Sequence, residues 1–262
     1  MLCARHDRRR VNTMALFTDG TIATIEDLKE YDSAVLQTAS IEGIDVTAKL
    51  KLAQREIGFV ISAFQARRGF TSPGDLGRVV VNEAILHWHC FHTLELIYRD
   101  AYNSQVNERY LGKWKGYMEI SARAAATVRD LGVGMVSTPV PKALAPDVVA
   151  EPGGPLGPRT YYIAVAWQAA NGSTGERSDF VVFTAPVATL VRATPHTPPP
   201  VASGWYIYVG PSEAETRRQN ELPLPPGSSW IESGGNLRSD LPDIAVQRPD
   251  WYVRNDRVLA RG

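Results

Sequence analysis

Residues 132–158 read GVGMVSTPVPKALAPDVVAEPGGPLGP, and they divide the chain into two halves with different periodicities. The stretch holds six prolines and five glycines. Proline lacks an amide donor and clashes with the preceding turn, so no helix can run through it. It reads as an extended, semi-rigid linker between domains.

On its N-terminal side, apolar residues recur at three- and four-residue steps. Thr24 and Asp27 form a capping-box-like start. Ile25, Leu28, Tyr31, Val35 and Ala39 then follow as one helical stripe. Gly43 interrupts, and Asp45 can cap a second helix in which Leu50, Ala53, Ile57, Val60, Ile61 and Phe64 share a face. After the breakers Gly69, Pro73 and Gly74, a long helical pattern runs from about Val79 to Leu131, with Gly112 and Gly116 marking a bend or a break. A pattern this long suits an element that packs against neighbouring subunits.

On the C-terminal side the period is two. Tyr161, Ile163, Val165 and Trp167 fall on one face of a strand. In GWYIYVG, Trp205, Ile207 and Val209 alternate with Tyr206 and Tyr208. Further short strands are expected near 216–220 and 229–232. Short strands with frequent turns predict a sandwich. The fold class is therefore segregated α+β: a multi-helix domain followed by a small immunoglobulin-like β-sandwich. The boundaries read as an arm at 1–19, a helical domain at 20–131, the linker at 132–158, a β-domain at 159–241 and a tail at 242–262. The basic leader MLCARHDRRRVNT leaves two readings: Met14 is the natural start, or residues 1–13 form an arm.

Lys+Arg and Asp+Glu both number 28, so the formal net charge is zero, which disfavours nucleic acid as the main partner. No apolar run approaches the roughly 18 residues of a membrane span. Two cysteines cannot build a disulfide framework.

The densest set of metal-ligand types is HWHCFH: His87, His89, Cys90 and His92. At the roughly 100° helical step, His87 and His89 point about 200° apart, so only two ligands converge at once. The cluster reads as helix packing, and no metal or cofactor is expected. GVG at 132–134 reads as a helix stop, since a dinucleotide loop needs a strand before it and a helix after it. Asn171-Gly172 reads as a tight turn. No nucleophile, acid–base or phosphate-loop motif stands out, and the chain reads as no enzyme.

The tail RPDWYVRNDRVLARG pairs the apolar anchors Trp251, Tyr252 and Val253 with Arg248, Arg254 and Arg257, the composition of a protein–protein hot spot. It reads either as a partner-docking element, ordered on assembly, or as a segment packed back on its own β-domain.

DLKEYDSAVLQTASIEGIDVTAKLKLAQREI and IYRDAYNSQVNERYLGKWKGY resemble the head-to-tail connector (adaptor) proteins of tailed bacteriophages. YYIAVAWQAANGSTGERSD and GWYIYVGPS are similar to fibronectin type III domains appended to virion proteins. The resemblance implies a homo-oligomeric ring of twelve copies at the head–tail junction of a virion assembled in the host cytoplasm. It further implies a portal protein and other neck or tail proteins as partners, genomic DNA only passing through the channel, no membrane and no catalytic residues. The helical half, residues 14–150, is expected to carry assembly. The alternative function is a carbohydrate-binding or adhesion module of a virion surface. It would need Trp167 and Trp205 exposed, whereas a core role would bury them.

Overall fold

The computed structural model describes residues 15–260 apart from 73, 106–107, 155–158 and 233–236. The leader 1–13 and Met14 lie outside the described residues. In chain order the helices are α1 (Ile25–Tyr31), α2 (Val35–Ile41), α3 (Val46–Ala66), α4 (Glu83–Gln105) and α5 (Glu108–Leu131). The strands are β1 (Val133–Met135), β2 (Asp147–Pro152), β3 (Arg159–Ala169), β4 (Val181–Ala185), β5 (Thr189–Thr194), β6 (Ala202–Gly210), β7 (Arg217–Arg218), β8 (Trp230–Ile231), β9 (Trp251–Val253) and β10 (Val258–Ala260). This is the α+β layout, helices first and antiparallel sheets after. The chain forms two compact units. One contains Leu16–Pro139 together with the residues from Arg248 onward, and the other contains Val140–Gln247.

In the helical unit, the Thr24 hydroxyl accepts from the Asp27 amide at 3.3 Å, while the Thr24 amide donates to Asp27 Oδ2 at 2.6 Å. Two orphan donors of the first turn are thereby satisfied. The single helix expected through Ala39 is instead broken at Asp32, whose Oδ1 accepts the Ala34 amide at 3.0 Å and so competes with helical bonding. Asp45 caps α3 through the Ala48 amide as expected. Leu50, Ala53, Ile57, Ile61 and Phe64 of the α3 stripe are buried, but Val60, on its margin, is exposed.

The long pattern from Val79 is a hairpin rather than one element reaching outward. The break falls between Gln105 and Glu108, and Gly112 and Gly116 lie inside α5. α4 and α5 run antiparallel: Tyr102 stacks on Trp114 at 5.4 Å, and Tyr98 meets Tyr117 at 5.4 Å. The aromatic surplus that the sequence suggested for neighbours is thus largely buried inside this unit.

Residues 132–158, read as linker, contribute two strands. β1 joins a three-stranded sheet, order β1-β9-β10, in which Val133 pairs with Val253 and Met135 with Trp251. Within the tail, β9 and β10 therefore belong to the helical unit. Glycine makes this possible. Gly132 ends α5 at φ +100°, and a Cβ on Gly134 would stand 2.6 Å from the Pro249 ring. The GVG helix stop thus has a second duty, the close approach of the C-terminal strand.

The other unit holds two sheets, of order β2-β5-β8 and β4-β3-β6-β7. Val191 and Ala193 of β5 share a core with Tyr161, Ile163, Val165 and Trp167 of β3 and with Trp205, Ile207 and Val209 of β6. The two sheets therefore sandwich one apolar layer. The alternate tyrosines Tyr206 and Tyr208 face the other way and pack with Ala166 and Ile244. β2 and β5 were not anticipated, and the 242–247 segment belongs to this unit rather than to the tail. In sequence the β-unit is an insertion between β1 and β9. Its ends are clasped: the Val140 amide donates to Gln247 Oε1 at 3.0 Å, and Gln247 Nε2 donates to the Val140 carbonyl at 2.8 Å.

Candidate functional site

The residues singled out for docking lie on and around β9. An alternating strand directs Trp251 and Val253 to one side and Tyr252 to the other. Val253 is fully buried in the core built by Ile57, Ile61, Phe64, Trp88 and Val128. Trp251 is half-buried against the same core, with the Arg78 guanidinium 5.1 Å from its ring centre. Tyr252 is half-buried. Arg254 Nε donates to the Asp130 carbonyl at 2.7 Å at the end of α5, where a cation complements the helix dipole. Asp250 accepts from the Ser137 amide at 2.7 Å. Arg248 and Arg257 are exposed. β10 forms the outer edge of the sheet with all three of its residues exposed. The structure thus divides the predicted set by burial: Val253 is buried, Trp251, Tyr252 and Arg254 are half-buried, and Arg248, Arg257 and the β10 edge are exposed.

The side chains of HWHCFH diverge. His87 Nδ1 meets the Tyr31 hydroxyl at 3.2 Å. His89 is buried; its Nδ1 accepts the Ala23 amide at 3.1 Å and its Nε2 donates to the Leu50 carbonyl at 2.9 Å. Burial holds its pKa down to about 4, so the ring is neutral at pH 7. Cys90 is buried in the apolar core between α4 and the N-terminal helices. His92 lies between Glu56 at 2.7 Å and Glu95 at 3.0 Å, with Ser121 Oγ 3.4 Å away. Burial opposes its charge, but the hydrogen bonds of Glu95 and Glu56 outweigh it and raise the pKa. Among the described residues no group of three or more His, Cys, Asp or Glu is placed to hold a metal ion.

A polar knot that sequence reasoning missed centres on Asp32. Its Oδ2 accepts from Tyr98 at 2.6 Å, Lys113 at 2.7 Å and Tyr117 at 2.8 Å. Burial pushes this carboxyl up, and those three donors more than reverse it, so it lies below the usual carboxylate range. No local signal could have found it, because its partners stand on α4 and α5, far along the chain. A second buried carboxylate, Glu232, accepts from Arg159 at 2.9 Å and from Tyr161 at 2.7 Å in the β-unit. Both arrangements lock elements together.

Trp167 and Trp205 are directly paired across β3 and β6 and are 3% and 0% exposed. Trp205 Nε1 donates to the Pro225 carbonyl at 3.1 Å. Sugar stacking needs an exposed ring face, and these two residues offer none. No helix among the described residues is long and apolar enough to cross a membrane. Comparison with known protein families, curated proteins and solved structures found no match.

Proposed function

We propose that the chain is a structural virion protein, a head-to-tail connector subunit that forms a ring of twelve copies between portal and tail and lets genomic DNA pass without chemistry. The sequence resemblance supplies the family. The observation that carries the reading here is the outer surface of the helical unit. Its interior is filled by its own α4–α5 hairpin and C-terminal strand, yet Ile41 on α2, Phe59 on α3 and Met118 on α5 remain 60%, 68% and 44% exposed. One exposed apolar residue is ordinary. Large ones on three helices of a unit whose core is already complete suit subunit–subunit contact in a ring, where each face meets a neighbour.

The β-unit, inserted between two strands of the helical unit, is peripheral decoration in this reading. The test is the mass of the purified protein alone and mixed with its candidate portal. A twelve-copy ring, alone or on the portal, is the expected result. A monomer with no portal binding at any concentration overturns it.

A further inference from the structure

Three arginines line one cleft where α3 and α5 end. Arg67 and Arg68 follow the last turn of α3, and Arg129 lies in the last turn of α5. With Asn255 of the β9–β10 turn they line a cleft of about 200 Å³ whose apolar walls are Val60 and Phe64. Arg67 Nε donates to the Ala63 carbonyl at 3.2 Å. Arg68 and Arg129 make no ion pair or side-chain hydrogen bond among the described residues. The nearby acid, Asp130, is engaged by Asn255 at 3.0 Å.

A single cation at each helix end would satisfy its dipole. Three around one concavity, with apolar walls, exceed that need and leave positive charge that an anion would complement. We propose that this cleft binds an acidic segment of a partner protein, a carboxylate beside a large apolar side chain. The arginines would take the carboxylate, in the bidentate geometry that guanidinium favours, and Val60 and Phe64 the apolar group. Val60 is 41% exposed, so part of the apolar wall is open to solvent. Nucleic acid fits less well. Phosphate backbones are gripped by extended basic stripes on positively charged proteins, whereas this chain has zero net charge and the cleft is half apolar. The proposal deepens the connector reading by specifying how a portal or neck partner would be held, but the cleft can be tested without that partner.

The experiment is fluorescence anisotropy on the full chain with labelled hexapeptides. Each carries three Glu or Asp and one Leu, Phe or Trp; controls replace the apolar residue by Ser, and a single-stranded DNA hexamer serves as the phosphate probe. At least one acidic–apolar peptide should saturate the wild type. The Ser control should bind at least fivefold more weakly, and R68Q/R129Q, with an unchanged circular dichroism spectrum, at least tenfold more weakly. DNA binding equally well, or no saturable binding by any peptide, overturns the proposal. If a peptide binds but no ring or portal complex forms, the cleft stands and the connector reading falls.

Discussion

His89 and His92 stand one turn apart on α4 and have pKa values moved in opposite directions: the first is buried between Ala23 and Leu50, the second clamped between two carboxylates. Their contributions to stability run in opposite directions with pH. The folded pKa of His89, about 4, lies below its unfolded value of about 6.5. The unfolded chain therefore takes up a proton that the folded chain refuses, and stability falls as pH drops from about 6.5 toward 4, by on the order of 3 kcal/mol at most. The folded pKa of His92 is raised. Its contribution is complete below the unfolded value and is lost as pH rises through the folded one. Urea midpoints measured from pH 4 to 8 should fall on the acid side, and His89→Leu should flatten that limb. His89→Leu should also cost about 1–3 kcal/mol at pH 7 through the orphaned Ala23 amide. A wild-type midpoint that does not change between pH 6.5 and 4.5 would contradict the assignment.

The clasp between Val140 and Gln247 makes the β-unit removable. Replacing residues 140–247 by a short Gly-Ser linker should leave a folded helical unit, because β1 and β9 remain joined to it. Ending the chain at residue 150 removes β9, takes Val253 from the core and should lower the melting temperature by several degrees or more. The compact helical unit is 16–139 plus the residues from Arg248 onward, rather than the 14–150 expected to carry assembly. Equal melting of the two shortened proteins would show that β9 contributes nothing.

Trp205 is the largest fully buried side chain of the sandwich. Trp205→Ala should destabilise the β-unit by about 3–5 kcal/mol, read by the loss of its unfolding transition in urea. A fully folded variant would reopen the adhesive reading.

What could be read from the sequence depended on how local the cause was. The period-two face of Tyr161, Ile163, Val165 and Trp167 was legible because one side of that strand is core. The Thr24 and Asp45 caps were legible because capping acts within three residues. The break between α1 and α2 has a local cause, the Ala34 amide donating to Asp32 Oδ1, that the continuous apolar spacing masked; what no local pattern could show is the hold on Asp32 by Tyr98, Lys113 and Tyr117 from distant helices. The pairing of Met135 with Trp251 was also hidden. Proline content made residues 132–158 look like a linker, but edge strands tolerate proline, and Pro152 ends β2 in just such a position.

The C-terminal residues chosen for docking now separate by experiment. Val253 is 0% exposed and belongs to the helical core, so Val253→Ala should lower stability by about 1–3 kcal/mol, with any loss of docking following from that. Arg248 and Arg257 are exposed, and among the described residues Arg257 forms an ion pair only with its neighbour Asp256 at 3.5 Å, one of little energetic consequence. R248A/R257A should therefore melt like the wild type. If the C-terminal segment meets a partner, this variant should still weaken co-sedimentation with the portal, because rim charges steer encounter and their loss slows association. Trp251 and Tyr252 should give a mixed result, a lower melting temperature together with weaker docking, since each is half-buried in its own chain. If R248A/R257A docks normally and every other change tracks melting temperature alone, β9 and β10 serve only to complete the helical unit, and the partner surface lies elsewhere on it.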